Sequence, residues 1–195
     1  VEMLVADVPE RVYKPDSELA HWRRRLALGK PRFAARAQPA PDLSHPAMAV
    51  NLDACIQCTR CVRACDDIQE VEVLDVGQRG AHTEIIVGGD GDPDHAGCTW
   101  CGECVRVCPT GAIFEVIPRE RFGAEAVRHP DTVTRSVCPY CGVGCQVDLH
   151  VKDGEMVRVT SPWIEENTPN QGSTCVKGRF GTDFLRYMAF VPDAG

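Results

Sequence analysis

The sequence lacks the features that mark membrane or secreted proteins. No apolar run approaches the roughly eighteen residues of a membrane span, and the chain does not start with a basic segment followed by an apolar one. We therefore expect a cytoplasmic location and an internal part of a longer protein. Aromatic residues make up only 6% of the 195 residues, so a sizeable core must depend on aliphatic side chains or on a non-protein group.

Familiar catalytic patterns are missing as well. The sequence contains no Ser-His-Asp arrangement, no phosphate-binding Walker loop and no G-x-G-x-x-G motif. Its six histidines have no metal-ligand spacing, and the carboxylate pair Glu165-Glu166 has no recognisable partner. We therefore predict no catalytic residue within this chain.

The net charge of −7 is unevenly distributed. Residues 1–49 carry eight Lys and Arg against six Asp and Glu, whereas the rest of the chain carries 13 basic and 22 acidic groups. An acidic body is poorly suited to a phosphate backbone, so we expect no nucleic-acid partner. The triplet Arg23-Arg24-Arg25 is too short to change this and is typical of a solvated helix face.

Cysteine is abundant, with twelve residues in three sets of four. The first set follows C-x2-C-x2-C-x3-C, the second repeats this pattern with Pro109 directly after it, and the third follows C-x2-C-x3-C-x29-C. Three thiolates so close in sequence can reach three corners of a [4Fe–4S] cube while backbone N–H groups point at its sulfides. Disulfides are disfavoured because neighbouring cysteines share one loop. Zinc is disfavoured for the first two sets but remains an alternative for the third.

The repeated runs predict how the ligands divide between three [4Fe–4S] clusters. In two-cluster bacterial arrangements the fourth cysteine of each run binds the other cluster. The first predicted set is Cys55, Cys58, Cys61 and Cys108, the second is Cys98, Cys101, Cys104 and Cys65, and the third is Cys138, Cys141, Cys145 and Cys175.

The predicted fold class is α+β. Residues 54–65 and 97–108 are identical at six of twelve positions, which predicts a two-cluster ferredoxin-like module with pseudo-twofold symmetry. The predicted division is a strap over 1–49, this module over 50–117, a polar connector over 118–134 and a small β-rich [4Fe–4S] domain over 135–195.

Local patterns predict the elements within these parts. Six prolines favour an extended strap that carries one helix, with Asp16 or Ser17 as its cap and Leu19, Trp22 and Leu26 on one face.

Strands are predicted from β-branched runs and turn residues. The predicted strands are a hairpin of Val71–Val76 and Thr83–Val87, a closing strand at Ile113–Ile117, and a second hairpin of Gln146–Val151 and Glu155–Thr160.

The order of the motifs resembles the catalytic (alpha) subunit of bacterial NAD-dependent, molybdenum-containing formate dehydrogenases. The resemblance rests on NLDACIQCTRCVRAC, CTWCGECVRVCPTGA, SVCPYCGVGC and CVKGRFG, and it covers about residues 45–187. It implies an electron-transfer segment that relays electrons from a molybdopterin centre outside this chain toward an NAD-reducing partner.

The same resemblance implies cofactors, partners and site residues. It implies a molybdopterin (bis guanine dinucleotide) cofactor in an adjoining domain or subunit, and NAD and flavin on iron–sulfur partner subunits. Lys177 is expected to lie between the third cluster and a pterin as an electron relay, and Arg179 is expected to contact a cofactor phosphate. Gly142 and Gly144 are expected to let the backbone approach the cluster.

The sequence departs from the family pattern in three respects. Asp66 rather than proline follows Cys65, which predicts an altered helix there. Residues 1–49 contain no cysteine for an upstream cluster, and the resemblance places the molybdenum ligands beyond this chain. The alternatives are a stand-alone polyferredoxin and the same segment of a nitrate reductase or an NADH dehydrogenase subunit.

Overall fold

The computed structural model describes residues 1–8, 17–35, 40–88, 97–162 and 167–182. The chain divides into two compact units, of which the first contains residues 1–98 and 103–117 and the second contains residues 99–102 and 118–195. Within the described residues, no helix is both long and apolar enough to cross a bilayer. The predicted cap Asp16 and the pair Glu165-Glu166 lie outside the described residues.

The first unit begins with two helices, α1 (Glu2–Asp7) and α2 (Glu18–Arg25). The expectation of one helix in residues 1–49 is therefore wrong. Helix α1 has no side-chain cap at Val1, so no local signal indicated it. It is held instead by tertiary contacts, because the Glu2 carboxylate pairs with Arg32 at 2.8 Å and the Val5 side chain is buried.

Helix α2 confirms one predicted feature and corrects another. The Ser17 hydroxyl accepts a hydrogen bond from the Ala20 N–H at 3.2 Å, so Ser17, one of the two residues predicted as caps, caps this helix. Of the three residues predicted to form its apolar face, only Leu19 is buried; Trp22 is 43% exposed and Leu26 is 50% exposed. The guanidinium of Arg25 lies over the Trp22 ring at 5.2 Å, which partly covers that surface.

Two short antiparallel strand pairs frame the cysteine runs of the first unit. Strand β1 (Met48–Val50) pairs with β4 (Ile113–Glu115), and β2 (Leu74–Gly77) pairs with β3 (Glu84–Val87). These pairs confirm the predicted hairpin and the predicted closing strand. Because β1 precedes the first run and β4 follows the second, their pairing closes the chain around both runs.

Each of these cysteine runs leads into a short helix, α3 (Arg60–Arg63) or α4 (Glu103–Val107). Helix α3 continues as a π-helical turn over Ala64–Ile68, which confirms the altered helix predicted at Asp66. Pro109 has no N–H to extend a helix beyond Cys108, whereas Asp66 retains this donor.

The second unit is built on a three-stranded antiparallel sheet. Its strands are β5 (Thr132–Val137), β6 (Gln146–Lys152) and β7 (Glu155–Thr160), in that order. The β6–β7 hairpin confirms the prediction, and its turn residues Asp153 and Gly154 have φ values of 51° and 78°.

The segment predicted as a polar connector contains two elements that the sequence analysis missed. Most of helix α5 (Val116–Arg128) lies there, with a break at Gly123 where φ is 81°. Strand β5 also begins there, and all six of its residues are exposed, so its sequence shows no alternation between buried and exposed side chains. The last described helix is α6 (Val176–Phe180), directly after Cys175.

Candidate metal centres

The two repeated cysteine runs share an unusual backbone. Gln57 and Thr59 in the first run have φ values of 55° and 57°, and the equivalent residues Trp100 and Gly102 in the second have 56° and 71°. Left-handed residues on either side of the second cysteine let a short loop fold back on itself. The sequence repeat therefore reflects a repeated loop conformation, although only Gly102 of these four residues is a glycine.

The first predicted ligand set lines one cavity. Its walls are formed by Val50, Cys55, Ile56, Cys58, Thr59, Cys61, Ile85, Cys108, Pro109, Thr110, Ala112 and Ile113. The structure thus brings Cys108, from the second run, together with three cysteines of the first. The lining contains no carboxylate or imidazole, so its donor set of four thiols in an apolar wall fits an iron–sulfur cluster.

The thiols of this cavity affect one another electrostatically. Burial, with a further contribution from the neighbouring Cys108, Cys55 and Cys58, raises the pKa of the Cys61 thiol to about 12. A thiol with this pKa is protonated at neutral pH. Metal binding at this site must therefore release protons.

Fewer contacts indicate whether the four cysteines of the second predicted ligand set lie together. Cys65 Sγ accepts a hydrogen bond from the Val73 N–H at 3.4 Å, and Cys104 Sγ lies 3.6 Å from Met48 Sδ. Cys98 and Cys101 are half-buried, like Cys65 and Cys104. Their assignment to one cluster stays a prediction.

A buried ion pair lies in the second run and was not predicted. The Glu103 side chain is 1% exposed and pairs with the guanidinium of Arg106, which is 13% exposed. Glu103 stands between Cys101 and Cys104 in the sequence, so its burial fixes the centre of this loop. Neighbouring cysteines marked the region, but nothing in the local sequence marks this carboxylate as buried.

The third predicted ligand set is brought together in the second unit. Burial raises the pKa of the Cys145 thiol, and the charges of Cys138, Cys141 and Cys175 raise it further. The Cys138 N–H donates to the Cys145 carbonyl at 2.8 Å, which closes the loop between them. Cys141 and Cys175 are exposed, so this site is open on one side.

The glycine that lies against a predicted ligand in this site is one that the sequence analysis missed. A Cβ at Gly142 or Gly144 would have no atom within 4 Å, whereas a Cβ at Gly178 would lie 3.6 Å from Cys138 Sγ. The Tyr140 hydroxyl donates to the Gly181 carbonyl and so links the first loop to the Cys175 segment. The expected close approach at Gly142 and Gly144 stays a prediction.

The two cationic residues after Cys175 have contrasting environments. Lys177 is exposed, and its relay role stays a prediction. Arg179 is only 5% exposed, and its Nε donates to the Cys101 carbonyl at 2.9 Å, also within the second unit. Gly102 leaves room for this side chain, since a Cβ there would overlap Arg179 Cδ and Nε. Contact of Arg179 with a cofactor phosphate stays a prediction.

Comparison with known families defines the class of protein. Residues 45–114 match the ferredoxin-like domain of NADH-quinone oxidoreductase subunit 3, and residues 131–186 match the molybdopterin oxidoreductase Fe4S4 domain. The chain therefore combines these two domain types in one iron–sulfur electron-transfer segment.

Two relatives show the extent of the sequence similarity. An NADH-quinone oxidoreductase subunit of Rhizobium meliloti is 38% identical over 140 residues, which are 72% of this chain and 15% of that protein. A protein named as a candidate formate dehydrogenase of Staphylococcus haemolyticus is 27% identical over 199 residues, covering 85% of this chain and 20% of that protein. The chain spans a fifth or less of the length of these relatives.

One solved structure shares the fold over more than half of the chain. The NAD+-reducing [NiFe]-hydrogenase in its H2-reduced state matches with a TM-score of 0.53 and 25% sequence identity, covering 58% of this chain and 51% of that one.

Proposed function

We propose that this chain is the electron-transfer segment of a formate dehydrogenase catalytic subunit. It would hold three [4Fe–4S] clusters at the three cysteine sets given above and pass electrons from a molybdopterin centre outside this chain toward an NAD-reducing partner. The clusters, when bound, supply one-electron transfer. The residues of this chain supply the ligands, the apolar surroundings and the nearby charges.

The observation that carries this proposal is the cavity lined by Cys55, Cys58, Cys61 and Cys108. The fourth cysteine comes from the other repeat, as in two-cluster ferredoxins. A run of cysteines that bound its own separate metal ion would not need a fourth cysteine from the other repeat. The grouping of these four cysteines supports the ligand assignment for the first set.

The exposed side of the third site supports a further domain or subunit beside it. Cys141 and Cys175 are exposed, Val143 is 61% exposed and Val176 is 36% exposed. Apolar side chains beside exposed ligands favour coverage by another part of the protein. We propose that this part carries the molybdopterin cofactor and that Lys177, which is exposed on the same segment, lies between the two groups.

Ligand substitution tests the proposal directly. Anaerobically prepared protein should contain about twelve irons per chain, given four per cluster. Cys58→Ser, Cys101→Ser and Cys141→Ser should each lose about four of these irons and one set of electron paramagnetic resonance signals. Val143→Ala, on the surface of the third site, should retain all of them. Iron-free protein, or zinc in place of iron, would overturn the proposal.

A second candidate is favoured by the identity to the NADH-quinone oxidoreductase subunit of Rhizobium meliloti. In that case the segment would carry electrons from NADH and would have no formate chemistry beside it. Reduction of a viologen dye by the intact enzyme with formate, compared with NADH and with nitrate as an acceptor, separates these candidates. Dye reduction that requires formate supports the first proposal.

A further inference from the structure

The start of helix α2 is attached to the wall of the first cavity. The Leu19 N–H donates to the Pro109 carbonyl at 3.3 Å, and Pro109 lines the cavity. Ser17 is 2% exposed and Leu19 is 8% exposed, so this end of the helix is packed against the rest of the first unit. The first turn of α2 is therefore held at a defined place beside the four thiols.

Glu18 lies in that turn and pairs with an arginine of the first cysteine run. Arg60 Nη1 donates to Glu18 Oε1 at 2.6 Å, and Arg60 lies between Cys58 and Cys61 in the sequence. Thr59, next to Arg60, lines the cavity, as does Pro109, to which the first turn of α2 is attached. The Glu18–Arg60 pair thus joins two segments that border the four thiols.

We infer that Arg60 and Glu18 act with opposite signs on the reduction potential of the cluster held by Cys55, Cys58, Cys61 and Cys108, so that the intact pair offsets the effect of either charge alone. This inference rests on the proposed function, because it requires a cluster in that cavity. Reduction adds one electron to a group that is already anionic, with no bond made or broken and no proton transferred. The positive charge of Arg60 favours the added electron, and the negative charge of Glu18 opposes it.

Substitutions of the two residues should shift the reduction potential in opposite directions. Arg60→Gln removes the cation and leaves Glu18, so it lowers the potential. Glu18→Gln removes the anion and leaves Arg60, so it raises the potential. The double variant exchanges a neutral pair for a neutral pair and returns close to the wild-type value.

The expected shifts are modest because both side chains are partly exposed, at 43% for Arg60 and 40% for Glu18. We expect each single variant to change the ratio of reduced to oxidised cluster about threefold at a fixed ambient potential, which is about 30 mV for a one-electron couple. Both shifts should shrink as ionic strength rises.

The experiment is an anaerobic redox titration of the intact holoenzyme, with dithionite as reductant and electron paramagnetic resonance as the readout. Arg60→Lys keeps the charge and should stay near the wild-type potential, which separates a charge effect from a disturbed loop. Arg63→Gln, one turn further along α3 and also exposed, is the matched control and should shift the potential less than Arg60→Gln.

Two kinds of failure are distinguishable. Absence of the first cluster's iron and signal from wild-type protein would contradict the proposed function itself. An intact cluster whose potential does not move in either single variant would overturn the role of the pair alone. Shifts of the same sign in Arg60→Gln and Glu18→Gln would overturn it as well.

Discussion

The first and third cysteine sites differ in how much of their enclosure this chain provides. Cys61 and Cys108 are buried in a cavity closed by strands of the same unit, whereas Cys141 and Cys175 are exposed at the side of a sheet. The first site uses the space where a core would otherwise form. The third site lies beside a sheet that buries its own side chains, among them Val147, Val157 and Val159. Cysteines of the same predicted role therefore line a buried cavity in one unit and lie at the surface in the other.

Removal of iron should separate the two regions most clearly. Anaerobic chelation is expected to unfold residues 50–117, because metal binding there contributes to folding free energy. Strands β5 to β7 should persist, since their hydrogen bonds and buried valines do not depend on ligands. Hydrogen exchange measured by mass spectrometry should show lost protection in the first region and retained protection in the sheet. Unchanged circular dichroism and unchanged exchange would contradict this dependence.

The rate of iron loss should also differ between the first and third sites. In the 195-residue segment, a water-soluble chelator should remove iron from the third site before the first, because two of its ligands are exposed. We expect a difference in rate of about tenfold, which corresponds to about 1.4 kcal/mol in activation free energy. Time-resolved loss of the electron paramagnetic resonance signals measures both rates. Loss at equal rates would show that exposure of the cysteines does not control access.

The buried ion pair of the second run, Glu103 with Arg106, should contribute to the stability of the first unit. Glu103→Ala leaves the largely buried Arg106 without this partner, and removing one member of a buried pair costs about 3 to 5 kcal/mol. The midpoint of anaerobic thermal unfolding should fall accordingly. Glu125→Ala, which alters an exposed pair with His129, should change the free energy of unfolding by less than about 1 kcal/mol. Equal effects of the two variants would show that burial of Glu103 is unimportant.

Two glycines allow a matched test within the second unit. Gly102→Ala should destabilise the protein by about 1 to 3 kcal/mol, because φ is 71° and a Cβ would overlap Arg179. Gly142→Ala should be nearly neutral, since a Cβ there has no neighbour within 4 Å. Anaerobic thermal unfolding compares them. A larger loss in Gly142→Ala would reverse our description of which loop is tightly packed.

The smallest expected effect is a pH dependence at the edge of the sheet. The hydrogen bond from Lys152 lowers the pKa of Asp131, and the Asp153 N–H adds to this. A lowered folded-state pKa contributes stability above the unfolded value of about 4, and this is lost as the pH falls through the folded value. Asp131→Asn should remove this part of the acid dependence. An identical pH profile in the variant would show that the pair contributes nothing measurable.

Much of the local structure followed from local patterns. Both hairpins, the closing strand, a cap at Asp16 or Ser17 and an altered helix after Cys65 were predicted because turn residues, β-branched runs and the missing proline act over a few positions. Helix α1 and strand β5 were missed because distant contacts stabilise them. Glu2 meets Arg32, and β5 is held by backbone pairing to β6.

The sequence by itself determined the spacing of the twelve cysteines, and with it the prediction of three ligand sets, because spacing is a local property of the chain. Only the tertiary structure decided which charges stand beside those sites. Arg60 meets Glu18, Arg179 meets the Cys101 carbonyl and Glu103 is buried with Arg106. The first two contacts depend on how segments far apart in sequence pack together. The third joins residues that are close in sequence, yet its burial still depends on what packs around it. A set of residue types and spacings cannot specify such packing.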